Sequence, residues 1–271
     1  MSLEEIIKSQ MKRERLVLIN DVHVPYHDAE TVAAVKRGIK HLKPDILLLG
    51  GDIADFYNVS TFNKDPSREE DFETEIHEVR DFLKDVKNNW GAKSVKYMLG
   101  NHEKRMQKYI SKNSPDLHWV EGLQFEKIMK LDEIGIDYIP ERYWNHKGVM
   151  YSHLDKALKW GGASSKNIGM DYNTTVVHTH NHKVGHTSHG DRDFYDNGCL
   201  CKLEADYVSG PPMWTQAFMI VDYLNDEPYF RQIQIKDHQF ILDGKLYTPK
   251  GAVNLNKLNK YKNVGRPRKS T

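Results

Sequence analysis

The sequence is poor in cysteine, in long apolar runs and in net charge. Its two cysteines, Cys199 and Cys201, argue against a disulfide-rich secreted scaffold. No apolar run approaches the about 18 residues of a membrane-spanning helix, and residues 1–15 lack the apolar core of a signal peptide. The formal net charge is +1, so no global field favours nucleic acid or a membrane. These absences predict a cytoplasmic protein with no membrane partner.

The composition itself is that of a folded globular protein. Hydrophobic residues make up 39% of the 271 residues and charged residues 28%, which is typical of soluble domains with a substantial core. No internal repeat and no linker between domains is visible. We therefore predict a short N-terminal helix over residues 1–15, a single domain over 16–250, and a basic tail over 251–271.

The segment DILLLGGDIAD, residues 45–55, closes an apolar run with a pair of glycines. Such a run predicts a buried strand that ends in a sharp turn. Asp52 follows at once, and sites in open α/β sheets collect at the carboxyl ends of strands. Asp52 is therefore a candidate site residue, although aspartate is also common in ordinary turns. Asp55 behind it is either an acceptor that supports the site or a loop cap.

A second strand end lies upstream. An apolar run over 16–19 is followed by Asp21 and His23, which point the same way on extended chain and suit two ligands of one metal. A helix that begins at Asp28 connects this strand to the one before Asp52. This predicts a β-α-β unit with two parallel neighbouring strands.

A third strand, over 95–99, runs into Gly-Asn-His-Glu. Asn101 offers a neutral carbonyl oxygen to a metal, and His102 offers a proton donor beside it. A helix is expected to start here, with its positive N-terminal end toward a bound anion. Lys104 and Arg105 are candidate contacts to that anion, and solvated helix residues are the alternative.

The second half of the sequence brings histidines to strand ends. A predicted strand over 149–152 leads into His153, and another over 174–177 leads into His-Thr-His-Asn-His, residues 178–182. Histidines at this spacing share one side of extended chain; a His-rich tract with loose metal affinity is the alternative. The mostly β region over about 183–247 is predicted to form a second sheet packed on the first.

The ordered pattern D-x-H, G-D, G-N-H-E, H, H-x-H resembles the metallophosphoesterase family, also called calcineurin-like phosphoesterases, over about residues 16–240. The stretches DVHVPYHD, GDIADFYNVSTFNKDP, GNHEKRM and NGCLCKL are similar to phage and bacterial members described as phosphoesterases or exonuclease subunits. The resemblance implies an α/β (mixed α+β) fold, in which two mixed β-sheets flanked by helices form a four-layer sandwich.

The resemblance also implies two divalent metal ions that share Asp52. The first would be held by Asp21, His23, Asp52 and His182. The second would be held by Asp52, Asn101, His153 and His180. His102 would be the general acid. Mn²⁺ is the preferred metal, and iron and Zn²⁺ are alternatives because Asp, Asn and His suit all three.

Two departures from the family pattern leave the histidine pair open. Leu154 stands where glycine is usual, and Thr-His-Asn-His replaces the usual Gly-His-Thr-His. His178 and His180 are therefore an alternative pair. We prefer His180 and His182, because the following Lys-Val-Gly then matches the family's basic, small or apolar, and glycine positions.

Pattern and resemblance together predict a phosphodiesterase in which a metal-bridging hydroxide attacks in line, with DNA as a candidate substrate. The alternatives are a phosphomonoesterase acting on a small or nucleotide substrate, and a metal-bound nucleic-acid-binding or scaffold protein without turnover. His102 favours an enzyme, because a pure binding site needs no proton donor beside Asn101. A protein phosphatase is disfavoured, since Asp55-Phe56-Tyr57 replaces the D-R-G of that branch.

The C-terminal residues 265–269, Gly-Arg-Pro-Arg-Lys, resemble the G-R-P core of AT-hook peptides. Proline keeps such a segment extended, and arginines can enter a narrow A·T minor groove. This predicts a DNA tether through Arg266, Arg268 and Lys269. A solubilising basic terminus is the alternative.

Overall fold

The computed structural model describes residues 11–61, 71–203 and 213–255. One mixed sheet has six strands: β1 Arg13–Ile19, β2 Ile46–Gly50, β3 Ser94–Met98, β4 Asp137–Ile139, β10 Ala217–Leu224 and β11 Glu227–Gln234. Its spatial order is β11-β10-β1-β2-β3-β4, in which β1 to β4 run parallel and the other two pair antiparallel. The predicted parallel pairing of the first two strands is confirmed.

The second mixed sheet has five strands: β5 Tyr143–His146, β6 Val149–Ser152, β7 Thr175–His178, β8 Val184–His189 and β9 Arg192–Asn197. Its order is β5-β6-β7-β9-β8, with β6, β7 and β9 parallel. A small antiparallel sheet follows: β12 Phe240–Leu242, β13 Lys245–Thr248 and β14 Gly251–Asn254.

The described helices are α1 Ala29–Leu42, α2 Phe72–Asn89, α3 Arg105–Asn113, α4 Phe125–Ile128, α5 Leu131–Ile134 and α6 Ala163–Tyr172. Asp28 caps α1 as predicted, because its side chain accepts a hydrogen bond from the Thr31 amide at 3.0 Å. The apolar stripes of α1 and α2 face the first sheet. Among these helices, none has the length and apolar character needed to cross a membrane.

Three apolar clusters define the order of the layers. Alternate residues of β1, such as Val17 and Ile19, pack toward α1 and α2. The intervening Leu16 and Leu18 pack against the second sheet. On the far side of that sheet, Met150, Val176 and Phe194 contact Ile168 of α6. The central strands β1, β2, β6 and β7 are buried on both faces over most of their length, which explains their apolar runs. The predicted four-layer sandwich is confirmed.

Two predicted boundaries are wrong where the structure describes them. The helix over 1–15 does not include its last three residues, because Arg13 to Arg15 belong to β1 and the Arg15 guanidinium binds Asp222 on β10 at 2.7 Å. The tail does not begin at 251, because the turn after Thr248 returns the chain as β14, with the Thr248 hydroxyl accepting two amides. Residues 1–10 and 256–271, which include Arg266, Arg268 and Lys269, lie outside the described residues.

Candidate metal centre

The carboxyl ends of parallel strands from both sheets meet at one place. In the first sheet, β1 ends before Asp21, β2 before Asp52, and β3 before Asn101. In the second, β6 ends before His153, and β7 ends at His178, the first residue of the histidine tract. Because every one of these strand ends faces the same crevice, candidates that are far apart in sequence become neighbours.

One group of candidate ligands lies around His153. Its Nε2 is 3.1 Å from Asp52 Oδ2 and 3.2 Å from Asn101 Oδ1. His180 joins Asp52 and His153 with ligand atoms that all lie within 4.8 Å of one another. Four strand ends, two in each sheet, therefore supply one compact set of nitrogen and oxygen donors.

A second group lies around Asp21. Its Oδ1 is 2.9 Å from His182 Nε2 and 3.9 Å from His23 Nε2, and the two Nε2 atoms are 3.3 Å apart. Asp52 also lies within 4.8 Å of Asp21 and His23. Asp52 thus belongs to both groups.

The candidate ligands were predicted to lie on extended chain, and they do not. Positive φ angles occur at Asp21 (49°), His23 (56°), Asp52 (51°), His180 (78°) and His182 (57°). Non-glycine residues rarely adopt this left-handed conformation, which costs on the order of 1–3 kcal/mol per residue. The period-two reasoning was therefore wrong, and it is tight left-handed bends that turn these side chains into the crevice.

Hydrogen bonds from the rear orient two of the imidazoles. His153 Nδ1 lies 2.9 Å from the Gly50 carbonyl oxygen and 2.8 Å from the Thr179 hydroxyl. His23 Nδ1 lies 2.9 Å from Asp55 Oδ1. An Nδ1–H that donates to such an acceptor leaves the Nε2 lone pair for a metal. In both rings it is Nε2 that faces the other candidate ligands.

His178 stands apart from both groups. It is buried, its Nε2 lies 2.9 Å from the Lys156 carbonyl oxygen, and its Nδ1 lies 3.3 Å from the Ser152 hydroxyl. Burial lowers the pKa of His178 to about 3, so the ring is neutral. The structure thus brings His180 and His182 to the centre and leaves His178 within the second sheet.

The donor set fits a cation. Nδ1 of His180 is buried and has no hydrogen-bond partner, and the buried Oδ1 of Asp21 contacts only imidazole nitrogens of other candidate ligands, His182 and His23. Although burial opposes the charged form of His153, the carboxylates of Asp52 and Asp21 raise its pKa to about 9. A buried site that draws protons to offset its carboxylates would be neutralised equally well by bound cations.

His102 lies at the edge of this centre. Its Nδ1 is 2.9 Å from the Asp55 carbonyl oxygen and 3.0 Å from the Asp55 carboxylate, and its Nε2 is 3.6 Å from Asp52 Oδ2. Arg105 donates to His102 Nε2 at 2.8 Å and to the Asp55 carbonyl oxygen at 2.7 Å. Although burial alone would raise the pKa of Asp55, hydrogen bonds from His102 and His23 hold it below its ordinary range.

Sequence reasoning missed the role of Glu103. Its buried carboxylate accepts the backbone amides of Asp52, Ile53 and Gly100 at 2.8–3.1 Å, together with the Tyr97 hydroxyl at 2.7 Å. It therefore ties the loop after β2 to the loop after β3. The only signal was its place in G-N-H-E, where an acid in a first helical turn is unremarkable.

Glycine is required where these loops touch. A Cβ at Gly100 would lie 2.1 Å from Asp52 Oδ1, and one at Gly51 would lie 2.5 Å from His153 Nδ1. Any side chain at either position would displace a candidate ligand. The glycines that mark the strand ends in the sequence thus serve close packing as well as turning.

Comparison with known proteins agrees with this geometry. A model of the calcineurin-like phosphoesterase family matches residues 14–208, and the chain belongs to that family. It is 26% identical over 254 residues to the Gene 54 protein of Mycobacterium phage L5, covering 86% of this chain and 98% of that protein. It is 24% identical over 184 residues to the Gene 54 protein of Mycobacterium phage D29, covering 65% and 72%.

Among solved structures, Vacuolar Protein Sorting 29 from Cryptosporidium parvum is similar to this chain. The two are 13% identical, the TM-score is 0.49, and the match covers 89% of this chain and 98% of that one. The predicted resemblance to the family, including phage members, is confirmed by the family match and the phage relatives.

Proposed function

We propose that this chain is a phosphodiesterase that uses two divalent metal ions, with DNA as the candidate substrate. The observation that carries the proposal is the position of Asp52 within both groups of candidate ligands. When bound, two cations about 3.5–4 Å apart clamp the attacking and leaving oxygens of an in-line displacement.

Each ion has its own donors and shares Asp52. Asp21, His23, Asp52 and His182 would hold the first. Asp52, Asn101, His153 and His180 would hold the second. With only two carboxylates in the set, two dications leave a net positive site that attracts a phosphodiester. Mn²⁺ is the preferred metal, with iron and Zn²⁺ as alternatives.

His102 is placed to act as the general acid. Asp55 accepts from Nδ1 and stabilises the positive charge of a protonated ring. The opposite nitrogen, Nε2, lies on the side of Asp52 and carries the proton toward the leaving oxygen. A proton delivered in this way is typically worth about 10²–10⁴-fold in rate.

Arg105 lies against the same nitrogen. A guanidinium N–H can only donate, so its 2.8 Å contact is made to His102 Nε2 as the acceptor. A substrate phosphate is a stronger acceptor for the guanidinium. Binding of substrate would therefore draw Arg105 away from Nε2 and toward the phosphate.

Turnover on a substrate panel tests the proposal. The purified chain is supplied in turn with Mn²⁺, Zn²⁺ and Fe²⁺ and offered p-nitrophenyl phosphate, bis-p-nitrophenyl phosphate, cyclic nucleotides, and single- and double-stranded DNA. Metal-dependent hydrolysis that favours diesters supports the proposal. A preference for the monoester, or stoichiometric metal binding without turnover on any member, overturns it.

The His178→Ala variant is the matched control for this panel. It removes a buried imidazole of the same second sheet that belongs to neither candidate ligand group, and whose ring centre lies 6.4 Å from that of His180. Activity that survives in His178→Ala and is lost in His180→Ala assigns the turnover to the metal centre.

A further inference from the structure

Helix α3 leaves the metal centre with a positive face. From residue 104 to residue 115 the chain carries four basic residues and no aspartate or glutamate. Lys104, Lys108 and Lys112, which we call the lysine row, are spaced by four and therefore share one face of the helix. Among the described residues, no ion pair joins the lysine row to a carboxylate. The neighbouring carboxylate of Asp155 is paired with Arg142 instead.

The lysine row costs helix stability unless something binds it. Like charges at i and i+4 destabilise a helix. Burial, together with the charges of Arg142 and Lys108, lowers the pKa of Lys104. The positive charges thus repel one another, and an anionic ligand would relieve that repulsion.

The row lines one side of an open groove of about 690 Å³. His118, Phe125 and Tyr138 also line this groove. Glu126 also lines the groove, as does Glu103, whose carboxylate already accepts backbone amides. The groove therefore combines a basic helix face with aromatic walls.

The groove begins next to the metal centre, since Glu103 and Lys104 line it and both follow the candidate residues Asn101 and His102 directly in sequence. Lys104 also interacts electrostatically with Arg142 and Asp155. Arg142 binds the Asp155 carboxylate at 2.7 Å, and its carbonyl oxygen accepts the His153 amide at 2.7 Å. The lysine row thus starts beside the group of candidate ligands around His153 and leads away from it along α3.

An exposed aromatic ring stands at that far end. The Trp119 side chain is 86% exposed, whereas tryptophan side chains in folded proteins are on average highly buried. Its ring packs edge-on against His118 at 4.5 Å, and His118 is held by the Ser111 hydroxyl of α3 at 2.6 Å. Basic grooves with an exposed aromatic ring are typical of proteins that bind unpaired bases.

We propose that this groove is a track for single-stranded nucleic acid, with backbone phosphates on Lys104, Lys108 and Lys112 and a base stacked on Trp119. Successive lysines lie about 6 Å apart along the helix. This spacing lets neighbouring lysines contact different phosphates, and the exposed ring of Trp119 suits an unpaired base. The track names the substrate class of the metal centre and in that respect rests on the proposed function.

Binding to oligonucleotides tests the track without requiring hydrolysis. The full chain, with and without Mn²⁺, is titrated against a labelled oligothymidylate and a duplex of equal length at several salt concentrations. In Lys108→Ala/Lys112→Ala, the slope of log affinity against log salt on the single strand is expected to fall by about 1.4, because each lost phosphate contact contributes about 0.7. Trp119→Ala is expected to weaken binding by about 5- to 150-fold, the range that one stacked base supplies.

A charge-matched control separates the groove from general basicity. Lys40→Ala/Lys166→Ala removes two exposed lysines from α1 and α6, away from the groove, and should leave affinity and slope unchanged. Three results would each overturn the track. The control variant could lose as much affinity for the single strand as the groove variant, or the salt slope of the groove variant could be unchanged. The duplex could also bind more tightly than the single strand, with an affinity that Trp119→Ala does not change.

The two proposals fail in different ways. If the groove variants lose single-strand binding but no diester is hydrolysed with any metal, the track stands and the phosphodiesterase does not. If bis-p-nitrophenyl phosphate is hydrolysed but the groove variants bind the strand as the unaltered chain does, the phosphodiesterase stands and the track is rejected.

Discussion

The two sheets contribute to the metal centre in different ways. Strands of the first sheet are followed by oxygen donors, namely Asp21, Asp52 and Asn101. Strands of the second are followed by imidazoles, namely His153 and His180. Both carboxylates of the site therefore lie on one wall, together with the imidazole of His23, and the other wall holds only imidazoles, which are neutral when they bind a metal. Losing a first-sheet carboxylate should change both charge and geometry, whereas losing a second-sheet histidine should mainly remove one donor.

The walls also differ in how they are held. Behind the first sheet, the Glu103 carboxylate gathers amides from two loops. Behind the second, the Thr179 hydroxyl lies 3.0 Å from the Gly50 carbonyl oxygen and so links the two sheets. The charged wall is thus fixed by a buried carboxylate, and the neutral wall by a hydroxyl.

The largest effect is expected at the shared carboxylate. Asp52→Ala should lose both metals, or most of one, and activity should fall by more than the about 10–100-fold typical of outer partners. Metal analysis and circular dichroism measure occupancy and fold. Asp52→Asn keeps an oxygen but removes the charge, so it separates the contribution of the charge to metal binding from that of the side-chain geometry. Two bound ions in the alanine variant would contradict a bridging role.

His102→Ala should retain metal and lose turnover. The loss should reach about 10²–10⁴-fold on alkyl phosphodiesters, because their poor leaving groups need a proton, and should be smaller on p-nitrophenyl esters. Steady-state kinetics on both substrates provide the comparison. Equal losses on the two leaving groups would argue against the acid role.

The histidine tract provides a test of the neutral wall. His180→Ala and His182→Ala should each weaken the binding of one ion, because the two residues lie in different candidate groups. His178→Ala should bind both ions, because its ring contacts backbone oxygen and hydroxyl groups instead. Metal titration of the three variants shows which histidines are needed for each ion. Loss of metal in the His178 variant, with His182→Ala tolerated, would shift the ligand pair by two residues.

His178 should also make stability depend on pH. Its folded-state pKa is about 3, below the ordinary value of 6.5. Between these two pH values, the unfolded chain binds a proton at His178 that the folded chain does not. Stability is therefore lost as pH falls from 6.5 toward 3, by up to about 1.4 kcal/mol per unit. Urea unfolding from pH 7 to pH 4 should show a shallower dependence for His178→Gln. Parallel curves for the two proteins would refute this.

The smallest effect is expected from the basic tail, which we still propose as a DNA tether. Deleting residues 256–271 spares β14 and removes Arg266, Arg268 and Lys269. Affinity for A·T-rich duplex should weaken, and the salt slope should fall by about 0.9 for each lost phosphate contact. Fluorescence anisotropy at several salt concentrations measures both. An unchanged slope would reject the tether.

Much of the fold and the identity of the candidate ligands could be predicted from the sequence. Short apolar runs that end in glycine or a polar residue, as before Asp52 and Asn101, are local signals, since a strand buried on both faces must be apolar throughout. The helix between β1 and β2 carries its own cap and stripe, which implies a parallel pair. Strand ends of parallel neighbours meet at one edge, so the convergence of Asp21 and Asp52 followed from topology alone.

What only the tertiary structure decided depends on partners that are distant in the chain. Arg15 belongs to a strand because Asp222 lies beside it, and Glu103 is buried because the amides after β2 need an acceptor. His178 and His180 are alike in local sequence; Lys156 supplies a carbonyl oxygen to one, whereas the other enters the group around Asp52. Periodicity describes the direction of a side chain along regular backbone. Where the backbone leaves regular structure, as at these left-handed turns, packing and hydrogen bonds from elsewhere decide which side chain reaches the site.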